Sequence, residues 1–120
     1  MIVLVAIAFV AAIAVREYNK IKIVDGFIKT MEVDVQTAVL RDKGFDPRYI
    51  EMRRDRERLL ISVSDETPME MTPRKIKELL DDYFTTIQIP EEYGLVKVIL
   101  IDRRVEEGEP DRELVIRDYR

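Results

Sequence analysis

A chain of 120 residues with 20 basic and 24 acidic side chains is long enough for one modest core. It has no Cys and no His, which excludes a disulfide framework, thiol chemistry and the commonest general base and metal ligand. From Phe45 onward 14 basic residues meet 19 acidic ones, and a domain of that sign is a poor partner for nucleic acid.

Residues 1–15 are uninterrupted apolar sequence, which as a helix spans roughly 22 Å against a hydrocarbon core of roughly 30 Å. Three readings compete. A cleaved secretory signal would use the small residues around Ala12-Ile13-Ala14 but lacks a basic leading region. A buried helix, apolar all round, needs more cover than so small a domain supplies. The preferred reading is a retained transmembrane or filament-core helix over 1–15. Arg16, Lys20 and Lys22 then snorkel to headgroups, and Tyr18 is an interfacial aromatic. Ala8 and Ala12 form a small-residue pair that permits close approach of a second helix. Basic residues flank only the C-terminal side, so the expected location is the cell membrane, single-pass, with the following domain in the cytoplasm.

Residues 16–44 are expected to form an amphipathic stalk helix continuous with the first. Val3, Ile7, Val10, Ala14, Ile21, Val24, Ile28, Met31, Val35 and Ala38 make one seam at spacings of three and four, broken only at Glu17. Phe27, Val39 and Leu40 widen it, and Gly26 interrupts an otherwise good helix former series. Two partners suit the seam: a helix of another subunit in a coiled coil, or this chain's own sheet. Arg41 and Lys43 in a last turn, Gly44 after it and Asp46-Pro47 beyond give the stop.

Residues 45–120 read as a small ββαββ domain. Residues 48–53 and 59–63 alternate as strands around a turn at 54–58 that lacks Gly. Thr72 is the expected N-cap and Pro73 the first residue of a helix whose apolar face is Ile76, Leu79, Leu80, Tyr83, Phe84 and Ile87. Residues 95–101 read as a central strand covered on both faces, and 114–119 as a last strand beyond an acidic loop. The class is α+β: a long N-terminal helix followed by a two-layer α/β sandwich in αββαββ order, ferredoxin-like.

Candidate chemistry is thin. Asp81 and Asp82 are adjacent on a helix and point about 100° apart, which does not make a shared carboxylate site. Glu106, Glu107, Glu109 and Asp111 lack the spacing of a calcium loop. Arg53, Arg54, Arg56 and Arg58 interleave with Asp55 and Glu57, which suits cross-strand ion pairs, or contact with anionic lipid or an acidic partner. Ser62 and Ser64 have no His to activate them, and the four glycines are isolated. No catalytic residue, cofactor, metal or small-molecule substrate is assigned.

Anchor, helical stalk and αββ-αββ domain together resemble the bitopic assembly-platform proteins of type IV pili and type II secretion systems. That likeness is architectural and implies a domain outside the cytoplasm, opposite to the flank charges. A pilin is similar in its half-apolar first helix, though Val5 stands where pilins usually carry Glu. Tyr18-Asn19 followed by Asp34-Val35-Gln36 resembles a pattern of the LemA family, without that family's helical bundle after Gly44. The expectation is a non-enzymatic membrane protein, partnered by lipid and by itself or another subunit, serving as a structural or scaffold component.

Overall fold

The computed structural model describes the backbone of residues 2–40 and 46–119, and the side chains of 18–37, 46 and 48–119. Helix α1 (Ile2–Asp34) runs roughly 50 Å without a break and passes into a wide π-helical segment at Val35–Leu40. Strands β1 (Ile50–Asp55) and β2 (Arg58–Val63) follow, then α2 (Pro73–Thr86), β3 (Lys97–Asp102) and β4 (Glu113–Asp118). The expected αββαββ succession is present. The stop signals at 41–45 lie outside the described residues.

The four strands form one mixed sheet in the order β1-β2-β3-β4. Both outer pairs are antiparallel and the central pair β2/β3 is parallel, as a crossover through α2 requires. A ferredoxin-like sandwich is matched in its two layers only. Its βαβ unit is split by an intervening strand, whereas here α2 connects immediate neighbours.

One sheet face carries the core. Ile50 and Met52, then Leu59, Ile61 and Val63, then Val98 and Leu100, and finally Ile116 point to it at the period of two that a pleated strand imposes. Against them α1 lays Val24, Ile28 and Met31 and the π-helical segment Val35, all no more than 3 % exposed, and α2 lays Ile76, Leu80 and Phe84. Each such side chain contributes about 1.5–3 kcal/mol by leaving water. Thr72 caps α2 by accepting the Lys75 N–H at 3.3 Å, and Pro73 occupies the first turn, as the sequence implies.

The opposite face departs from expectation. Leu60 and Ile99, neighbours in the parallel register, are nearly buried, yet both helices pack on the other side. Arg53 lies beside Leu60 and Val115 beside Ile99, and Val115 stays 48 % exposed. Strand β3 is therefore covered by a layer on one face and by neighbouring side chains on the other.

Two long-range hydrogen bonds fix α1 to the sheet edge. The Met52 N–H donates to Glu32 Oε2 at 2.6 Å, and Gln36 Nε2 donates to the Ile50 carbonyl at 2.8 Å. These are backbone groups that a further strand would take, so a helical i,i+4 pair seals the open edge of β1. Because Glu32 precedes Gln36 while Met52 follows Ile50, α1 runs antiparallel to β1.

The molecule measures 67 × 32 × 27 Å with a radius of gyration of 18.0 Å. A compact chain of this length would have about 14 Å. The excess is α1: residues 18–23 are exposed on every side of the helix, and its burial begins at Val24.

Two outcomes are expected. Gly26 is exposed with nothing within 4 Å of where a Cβ would stand, so Gly26→Ala stabilises the fold by about 1 kcal/mol in urea unfolding. Glu32→Ala removes the acceptor for the Met52 amide, costs about 1–2 kcal/mol, and abolishes that amide's protection in hydrogen exchange.

Candidate functional site

The expected seam divides in the structure. Val24, Ile28, Met31 and Val35 turn to the chain's own sheet, so these four are not free to pair with another helix. Ile21 is 53 % exposed and sits on the projecting stalk with Tyr18, Lys20 and Lys22, which are exposed too. The side chains of Val3, Ile7, Val10, Ala14, Arg16 and Ala38 lie outside the described residues. The stripe meets the sheet from Val24 onward.

The stalk meets the domain through a small contact. Phe27 packs edge-on against Tyr93, with ring centres 5.1 Å apart, and a shallow hollow beside it is lined by Asn19, Lys20, Ile23, Glu92 and Tyr93. Gly94 closes the turn after Tyr93 at φ 71°, a left-handed conformation that favours glycine.

A buried ion pair that the sequence did not single out lies at the C-terminal end of β3. Asp102 is fully buried and accepts from Arg104 Nε at 2.9 Å and Nη2 at 2.6 Å. The same guanidinium donates to the carbonyls of Thr67, Pro68 and Met71. Every nitrogen of the fork is engaged, so the pair acts as a clasp between the sheet and the loop that leads into α2. Asp102 accepts three hydrogen bonds, all from Arg104, counting its backbone N–H at 3.0 Å.

A concavity of about 450 Å³ opens near the same end on the outer face, lined among others by Arg48, Glu51, Arg53, Ser62, Ser64 and Arg103. Arg48 is held by Asp46, and its hydrogen bond pulls that carboxyl from an ordinary 3.8 to about 2. The contact is thus complete above the ordinary carboxylate range and is lost as pH falls through about 2. Arg53 and Arg103 make no ion pair among the described residues. Glu51 and Asp65 share the hollow, so its charge is mixed.

Several of the other charged groups form local pairs. Asp81 lies 2.8 Å from Lys77 and 3.7 Å from Arg117, while Asp82 is exposed. A bulge opposite Val98 lets Arg117 reach α2, where it donates to the Asp81 carbonyl and to Thr85 Oγ1. In the acidic loop Asp111 pairs with Arg74 at 3.0 Å, and Glu107 lies 3.9 Å from Arg112. Among the described residues no three acidic side chains converge as metal ligands would. In the arginine-rich hairpin Arg58 pairs across the strands with Asp55 at 2.7 Å, and Arg54 Nε donates to the Arg56 carbonyl. Arg56 itself has φ 57°, a conformation that costs a non-glycine residue about 1–3 kcal/mol.

No known protein family, curated protein or solved structure matches the sequence. Among the described residues no helix is long and apolar enough to cross a membrane; the side chains of residues 1–15, where the anchor is expected, lie outside the described ones.

Arg104→Ala is expected to destabilise by about 3–5 kcal/mol, because Asp102 and three carbonyls lose their partner in a dry site. A double-mutant cycle with Asp102→Ala, read in urea unfolding, then gives a strongly favourable coupling.

Proposed function

We propose that the chain is a non-enzymatic, single-pass membrane protein, a structural or scaffold subunit of a membrane-bound assembly. Residues 1–15 are its anchor, the exposed stretch of α1 its stalk, and the sheet domain its head. The division of α1 supports this reading. One uninterrupted helix carries an apolar sequence at its start, six consecutive exposed positions at 18–23, and a sheet-packed face from Val24. Helix pairing belongs to the part before Val24, with Ile21 as the seam residue nearest the head. The flank charges favour a cytoplasmic head.

Carbonate extraction tests the anchor: the chain stays with the membrane pellet. Recovery in material sheared from the cell surface instead supports a pilin-like filament subunit. The chain has no cysteine, so single replacements give clean crosslinking sites. A probe at Ile21→Cys is expected to yield a covalent dimer in membranes, with Ile28→Cys, buried under the sheet, yielding none. Absence of dimer at both positions counts against stalk pairing. The hollow between Arg53 and Arg103 supports a second reading, a small ligand-binding head, which calorimetric binding of an anionic metabolite there would favour.

A further inference from the structure

Because α1 is antiparallel to β1, the two ends of the head are distinguishable. The end toward the start of α1 carries the β1–β2 turn at Arg56-Glu57, the Glu91–Tyr93 turn and the beginning of β3. Three contacts tie these together: the Val96 N–H donates to the Glu57 carbonyl at 2.7 Å, the Tyr119 N–H to the Val96 carbonyl at 2.8 Å, and Phe27 packs edge-on against Tyr93. The opposite end carries the Arg104 clasp and the hollow at Arg103.

The height of the near end follows from two rises per residue. Met52 is level with Glu32, and the turn at Arg56 lies about 13 Å further along the strand, which equals about nine helical residues and brings it level with Ile23. From the end of the apolar segment at Val15 to Ile23 is about 12 Å of helix. The headgroup layer occupies about 5–7 Å of that. The gap left is within a Debye length of about 8 Å. An anchor shorter than the hydrocarbon core is moreover drawn inward or tilts, and both narrow the gap.

We infer that the head lies with this near end against the membrane, Arg54 and Arg56 of the β1–β2 turn and Lys20 and Lys22 of the stalk meeting anionic lipid headgroups. The inference rests on the anchor reading above. The chemistry of the near end suits it. Asp55 and Asp118 are answered by Arg58 and Lys97, at 2.7 and 3.8 Å. Arg56 presents an exposed guanidinium from a left-handed turn position that glycine or asparagine would occupy with less strain. Asp25, Glu57, Glu91 and Glu92 share this end, so lipid charge orients a head that the anchor already holds close, and charge alone would not recruit it.

Full-length chain in vesicles tests this, with a fluorophore at Glu92→Cys on the near end or at Arg103→Cys on the far end, and quencher attached to lipid headgroups. In phosphatidylcholine mixed with phosphatidylserine, the probe at Glu92→Cys is expected to be quenched and the probe at Arg103→Cys spared. Arg56→Gln, which keeps the carbonyl that Arg54 holds, shifts the ratio of docked to undocked heads about fivefold. Co-flotation with the vesicles is scored in parallel. A chain that floats but is quenched equally at both positions, or indifferently to phosphatidylserine, overturns the orientation and leaves the anchor standing. A chain that does not float overturns the anchor reading itself.

Discussion

The seating of one third of α1 on the sheet governs the rest of the molecule. Val24, Ile28, Met31 and Val35 supply the apolar contact, and Glu32 and Gln36 on the adjoining helix face supply two hydrogen bonds to the edge of β1. Apolar packing alone would permit the helix to slide along its ridge. The edge bonds fix its translation and its direction, because an acceptor and a donor spaced i,i+4 meet a donor and an acceptor spaced i,i+2 in only one sense. Stalk and head are consequently joined through one continuous helix, with Tyr18 to Ile23 standing clear of the sheet.

Stability within the head is distributed between two kinds of device. The core is a conventional two-layer contact in which strand and helix periodicities present Leu59, Ile61, Leu80 and Leu100 to each other. The far end is secured differently, by the desolvated Asp102–Arg104 pair with its three carbonyl acceptors. Such a pair contributes little net energy compared with apolar replacements, but leaving either partner alone is severe. It also defines where the chain must turn after β3 and before α2, which four strands and one crossover do not by themselves dictate.

Much of the architecture was legible from periodicity. Residues 59–63 and 76–87 each carry one unambiguous repeat, and Thr72-Pro73 marks a helix start with two independent signals. The seam at Val24 to Val35 was legible as a stripe but not as a destination, since a coiled-coil partner and a sheet make the same demand on spacing. Residues 95–101 misled because an apolar strand reads as doubly covered, whereas on the outer face of Ile99 the neighbouring Leu60 and a half-exposed Val115 suffice as shelter. Asp102, Arg104, Glu32 and Gln36 gave no signal at all. Polar and charged residues two or four apart resemble any solvated surface, and what distinguishes them is contact with segments 14 to 37 residues away. The candidate site was correspondingly the least legible part, because the stalk is defined by what does not pack on it.

Sheets with bare margins invite ribbon growth, each chain adding a strand to the last. Here one margin is occupied by side chains of α1, and the other, β4, is kinked by the bulge opposite Val98 and studded with Glu113, Arg117 and Asp118. Copies of this head thus have no lateral template from which to polymerise. Copies of a head built this way can lie side by side at high local density and still remain a set of discrete units.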